Sequence, residues 1–165
     1  MGTAIKSGFE KHYEIETYDK YDESKSTCNL FDLVVECDVI FVCVPTPMNK
    51  DRSCNTDIVE DIISDINDSV HIDRLNHNPS DTIVVIKSTV PPGTTDRLNK
   101  ENDNVTVIFN PEFLTEANFI DDFINQNRII IGGKRPATTK LRQIYSLVFP
   151  NIPIIKTGST TAEMV

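Results

Sequence analysis

Apolar positions along the chain fall into short runs separated by segments of helical spacing. Strand-like runs rich in Val, Ile and Phe lie near residues 13–18, 38–44, 82–87, 104–109, 128–132 and 152–155. Five of the six are nearly continuous rather than alternating, the pattern of strands covered on both faces. Between them Ile58, Val59, Ile62, Ile63 and Ile66 recur at helical spacing after Asn55-Thr56-Asp57, which supplies a capping start. A second helical pattern spans residues 136–149, with Pro136 in its first turn and Leu141, Ile144, Tyr145 and Val148 along one face. Residues 71–80 are polar and Asn-rich and read as a surface loop. Strands alternating with helices predict the α/β class: βαβ units around a doubly wound, mostly parallel sheet.

Composition narrows the class. A chain of 165 residues suits one domain, and 39% hydrophobic against 25% charged residues is enough to build a core. The longest apolar run, residues 39–44, is far short of the ~20 residues that span a bilayer. The first residues lack the charged, apolar and small-residue regions of a secretory signal, so a cytoplasmic location is expected. A net charge of -9 argues against nucleic acid as a partner. It leaves room for a small anion held by backbone N–H groups at a helix start. Cys28, Cys37, Cys43 and Cys54 are irregularly spaced without a C-x-x-C pair, so free thiols and no metal site are expected.

The candidate chemistry sits where strands end. Residues 15–18 run into Asp19, which lies 17 positions after Gly2. A dinucleotide fingerprint places its ribose-binding acid about 20 residues beyond the glycine turn. An acid after a strand is also the commonest kind of solvated loop residue. Val44-Pro45-Thr46-Pro47 leaves the next strand along a path fixed by two prolines. Lys87-Ser88-Thr89-Val90-Pro91-Pro92-Gly93-Thr94 follows the third, and Asn110-Pro111-Glu112-Phe113-Leu114-Thr115-Glu116 follows the fourth. Stiff loops and an i,i+4 surface pair of acids are the plain alternatives. Open α/β sheets bind ligands at their carboxyl edge, where all three strings would lie.

In this order and spacing Val-Pro-Thr-Pro, Ser-Thr-Val-Pro-Pro-Gly-Thr, Asn-Pro-Glu-Phe-Leu-x-Glu and Asn-Arg-Ile-Ile-Ile-Gly-Gly resemble the UDP-glucose/GDP-mannose dehydrogenase family, from residue 2 to about 165. The resemblance implies a Rossmann-like NAD-binding domain over residues 1–165. It also implies oxidation of a nucleotide-sugar C6 alcohol to a carboxylate, in two hydride transfers to NAD through a cysteine thioester. By motif, Gly2 would approach the pyrophosphate and Asp19 the adenine ribose, while Val44, Pro45, Thr46, Pro47, Ser88, Val90 and Glu116 would border NAD. Thr89 would help place the hydrolytic water and Glu112 would move its proton. Glu112, Phe113, Leu114, Thr115 and Glu116 would line the sugar-nucleotide site, UDP-glucose being the expected substrate. Full-length relatives are expected to be homo-oligomers.

Departures matter too. The strand before Gly2 and two fingerprint glycines are absent, and Ser24, next to Lys25, stands where a basic residue often follows the ribose acid. The nucleophilic cysteine, its lysine, the central helix and the UDP-sugar-binding domain correspond to sequence after Val165, so none of the four cysteines is that nucleophile. Loss of a central strand leaves backbone groups unpaired at about 1–3 kcal/mol each, against a total stability of roughly 5–15 kcal/mol. The expectation is a fragment, or a chain that takes the strand from another polypeptide, inactive alone and weak in binding NAD. A non-catalytic nucleotide-binding module is a second reading. A hydroxyacid or hydroxyacyl dehydrogenase is a third, disfavoured by Glu112 in its Asn-Pro frame.

Overall fold

The computed structural model describes residues 1–76, 82–115 and 117–165. Five strands form one sheet in the order β1 (Val39–Val42), β2 (Ile83–Ile86), β3 (Thr106–Phe109), β4 (Ile129–Gly132) and β5 (Ile154–Thr157). All neighbours are parallel except β3 and β4, which meet antiparallel at Phe109 and Gly132. Every residue of β2 and β4 is buried, which explains why their sequences show no alternation.

Helices cover both faces. On one, α2 (Leu30–Glu36), α3 (Asp57–Asn76), α4 (Thr94–Glu101) and α7 (Ser159–Glu163) pack Leu33, Val59, Ile63, Ile66, Leu98 and Ala162 on Ile40, Val42, Val84, Ile86 and Val107. On the other, α1 (Gly2–Phe9), α5 (Phe119–Ile124) and α6 (Ala137–Val148) pack Ala4, Ile5, Phe9, Phe123, Leu141 and Tyr145 on Val85, Ile108, Ile129 and Ile131. Phe9 is the hub of the second layer, its ring centroid 5.3 Å from Tyr145, 5.8 Å from Phe41 and 6.1 Å from Phe123.

Two expectations are corrected. Residues 13–18 form no strand. Their backbone bonds instead to a neighbouring loop: Thr17 N–H to Thr27 Oγ1 at 2.8 Å, Thr27 N–H to Thr17 O at 2.8 Å and Asp19 N–H to Ser26 Oγ at 2.9 Å. An extended segment without a ladder partner cannot become a strand however β-rich it is. Residues 71–76 are not loop but the last turns of α3, which follow directly on the buried stripe of Ile63, Ile66 and Val70. Residues 77–80 of that expected loop lie outside the described residues.

Helices α1 and α5 meet with almost no space at Gly8, where an added Cβ would stand 2.5 Å from the Phe123 ring. Phe123 is 1% exposed and has nowhere to go. The clash outweighs the helix propensity a side chain adds, so Gly8→Val is expected to lower stability by about 1–3 kcal/mol in urea unfolding. An unchanged midpoint would show that α1 does not rest on α5.

Candidate active site

At the carboxyl edge each strand is tied to the next just where it ends. Lys87 N–H donates to Val42 O at 2.9 Å, and Asn110 N–H donates to Ile86 O at 2.9 Å. The Ser88 hydroxyl donates to Val44 O at 2.6 Å, so the loop after β1 is held by the loop after β2. Beyond Val44 the chain is set by Pro45 and Pro47, and Pro47 O accepts the Asn55 N–H at 2.8 Å.

The deepest tie is Asn110, 1% exposed. Its Oδ1 accepts from Lys87 Nζ at 3.2 Å and from the Tyr145 hydroxyl at 2.6 Å, and its Nδ2 donates to Ile130 O at 2.7 Å. One amide thus joins the ends of β2 and β3 to β4 and α6. Lys87 Nζ also lies 3.4 Å from Pro111 O, one residue before Glu112.

The start of α4 is secured from α7. The Glu163 carboxylate accepts from Gly93 N–H at 2.5 Å, from Thr95 N–H at 2.7 Å and from the Thr95 hydroxyl at 2.6 Å. Gly93 is at φ 95°, a left-handed conformation that glycine adopts freely. Residues 88–92 are therefore anchored at both ends.

These ties surround a crevice of ≈ 500 Å³. Residues 43–46 form one wall, residues 87–89 the next, Glu112 and Leu114 the third, and Met1 at the start of α1 closes it. Thr46, Thr89 and Glu112 therefore meet around one space, although they lie on three different strand ends. Gly2 opens α1 beside it, with nothing within 4 Å of where a Cβ would be. The first N–H groups of that helix to bond within it are those of Ala4 and Ile5, leaving those of Gly2 and Thr3 for a ligand.

Other expected residues stand apart. Val90 is 4% exposed in the core, so only its backbone can reach a ligand. Phe113 is turned outward beneath the Arg128 guanidinium, 4.2 Å from the ring centroid. Thr115 binds Asp122 through its N–H at 2.8 Å and its hydroxyl at 2.6 Å, and so braces α5 rather than lining the crevice. Pro47 is not in the wall. Asp19 spends one carboxylate oxygen on the N–H groups of Tyr21 at 3.0 Å and Asp22 at 3.1 Å, and among the described residues its other oxygen has no hydrogen bond. Glu116 lies outside the described residues.

Burial governs the electrostatics. It pulls the Lys87 ammonium down to about 8, against the Glu112 carboxylate, which favours its charge. Glu112 is pushed above the usual carboxylate range by burial, opposed by Lys87 and the amino group of Met1. Its proton is therefore held closer to neutral pH, as general acid–base work requires. Burial takes Cys43 up to about 12, so this crevice cysteine stays an unreactive thiol. Lys87, Asn110 and Tyr145 were given no role by motif. The signal was present: a lysine closing the apolar run Ile83-Val84-Val85-Ile86 must be buried with the strand and needs a partner there.

Residues 12–149 match the family model described as the NAD binding domain of the UDP-glucose/GDP-mannose dehydrogenase family. The chain belongs to this family. It is 34% identical over 139 residues to UDP-glucose 6-dehydrogenase YwqF of Bacillus subtilis (strain 168), a match covering 80% of this chain and 30% of that protein. Among solved structures, a GDP-mannose dehydrogenase ternary complex from Pseudomonas aeruginosa aligns with TM-score 0.70 and 27% identity, over 82% of this chain and 32% of that one. A UDP-glucose dehydrogenase from Pyrobaculum islandicum aligns with TM-score 0.70 and 30% identity over the same shares. The chain thus spans about a third of the length of these relatives. As a member of this family's NAD-binding domain it has NAD as its cofactor. No helix among the described residues is long and apolar enough to cross a membrane, and no group of three or more metal-ligating side chains occurs among them.

The depressed Lys87 sets a pH dependence. Folded Lys87 loses its proton near pH 8, whereas an unfolded lysine keeps it to about 10.4. Between those values the unfolded state binds more protons, so stability rises with pH. Relative to Lys87→Met, the wild type is expected to gain at most about 3 kcal/mol between pH 8 and 10.4, and to show a flat difference below pH 8. Urea unfolding of both proteins from pH 6 to 10.5 tests this; a pH-independent difference contradicts the burial of the charge.

Proposed function

We propose that this chain is the cofactor half of an NAD-dependent nucleotide-sugar 6-dehydrogenase of the type that turns UDP-glucose into UDP-glucuronate, working in the cytoplasm and inactive alone. The observation that carries this reading is the meeting of Thr46, Thr89 and Glu112 around a crevice that also receives the start of α1. NAD, when bound, supplies the hydride acceptor. The residues present fit it: the free N–H groups of Gly2 and Thr3 would face the pyrophosphate, the free Asp19 oxygen the adenine ribose, and residues 44–46 and Ser88 its edge.

On the sugar-nucleotide side, Glu112, whose carboxyl is held above the usual carboxylate range by burial, is the group that moves a proton. The Thr89 hydroxyl, able to donate and to accept, orients water beside it. Leu114 adds an apolar contact to that wall. Lys87 sits beneath Glu112 and fixes the loop that carries it. The sugar-binding half and the thioester-forming cysteine belong, in this reading, to sequence homologous to the remaining two thirds of the relatives.

NAD titration followed by amide NMR shifts tests the assignment. The expected result is saturable binding with amide shifts confined to residues 2–4, 19, 44, 46, 88 and 89. Perturbation centred elsewhere would sink the site.

A further inference from the structure

Among the described residues Lys87 is the one buried cation, 6% exposed at the carboxyl end of β2. The junction at Asn110 asks for donors but not for a charge. Its oxygen already accepts from the neutral Tyr145 hydroxyl at 2.6 Å, while Lys87 Nζ stands farther off at 3.2 Å. None of the ion pairs formed among the described residues includes Lys87. An ammonium withdrawn from water without a close counter-ion is costly, and a neutral donor would have closed the same junction. The charge itself is therefore left without a structural purpose.

Two observations direct it to Glu112. Nζ reaches the Asn110 side chain and the Pro111 carbonyl, so one group holds both residues that precede Glu112, the second of them with its φ already fixed. Lys87 and Glu112 also line the same crevice. The other titratable groups facing the pair are Cys43 at the end of β1, Tyr145 on α6 and the amino group of Met1 before α1. Burial raises both Cys43, to about 12, and Tyr145, so neither carries charge near neutral pH. Two positive charges then act on the Glu112 carboxyl, and that of Lys87 is the stronger.

We propose that Lys87 is the positioning residue of Glu112: its ammonium fixes the two residues before Glu112 and supplies the buried positive charge against which that carboxyl ionises. The inference rests on reading Glu112 as the group that moves a proton. Lys87 touches neither substrate nor cofactor in this scheme. It opposes the effect of burial on Glu112, so that the carboxyl can both hold and release its proton, and the two groups titrate as a coupled pair.

The test follows the Glu112 side-chain carboxyl carbon by NMR in the full chain, from about pH 3 to about pH 10. In the wild type that carbon is expected to show one large step as the carboxyl ionises and a second, small one where Lys87 loses its proton, at about 8. Lys87→Met should abolish the second step and raise the midpoint of the first, by about threefold tighter proton binding or more. Tyr145→Phe breaks the junction without removing a charge and should leave both steps in place. The proposal is overturned if the wild type lacks the second step or if Lys87→Met retains it, which would assign it to the Met1 amino group. It is also overturned if Lys87→Met leaves the first midpoint unmoved, or if Tyr145→Phe moves it as far. Should Lys87→Met not fold, acetylation of the Met1 amino group decides: the second step persists if it belongs to Lys87 and vanishes if the proposal is wrong. These titrations read the positioning alone, whereas the NAD shifts read the site, so either can fail while the other holds.

Discussion

Asn110 is the constraint on which the arrangement of the carboxyl edge depends. A buried side-chain amide must satisfy two donors and an acceptor, and a buried ammonium tolerates its burial only when partnered. Here the two needs answer each other: Lys87 at the end of β2 and Tyr145 on α6 both donate to Asn110, and Asn110 donates onward to Ile130 of β4. Because removing Asn110 would leave the Tyr145 hydroxyl and the Ile130 carbonyl without this partner, the junction holds three strands in one position rather than several. The residue that follows it is Pro111, so the direction in which Glu112 leaves the sheet is fixed before the loop begins.

The site chemistry follows from that rigidity. Glu112 and Cys43 are raised, and Lys87 lowered, by the same cause, withdrawal from water beside an apolar sheet. Three groups with displaced titrations line one crevice together with two hydroxyl-bearing strand ends. Glu163 extends the same logic to the last helix, capping α4 and thereby steadying the Ser88 and Thr89 loop from the far end of the chain.

Much of this was legible in the sequence. The continuous apolar runs marked the strands, fully buried in β2 and β4, and the prolines at Pro45, Pro91 and Pro111 marked the ends where the three loops meet. What misled was locality. Residues 13–18 carry β-forming side chains, yet a strand exists only if a neighbour bonds to it, and that neighbour is no property of the segment itself. Residues 71–76 look like loop because their composition is polar, but Val70 continues the stripe of Ile63 and Ile66 and carries the helix onward. The Asn110 junction was hidden for the opposite reason: its members lie 23 and 35 residues apart, and only packing brings them together. The structure also separates residues that a shared motif had grouped, turning Thr115 to Asp122 and Phe113 to Arg128 while Glu112 and Leu114 stay in the crevice.

The most direct measurement of this account is a double-mutant cycle between Asn110→Ala and Tyr145→Phe, read by urea unfolding at pH 7. A junction in which each partner depends on the other predicts a coupling free energy of about 1 kcal/mol or more. Losses that add to within about 0.5 kcal/mol would contradict it, and would mean that the carboxyl edge is held by the strands alone.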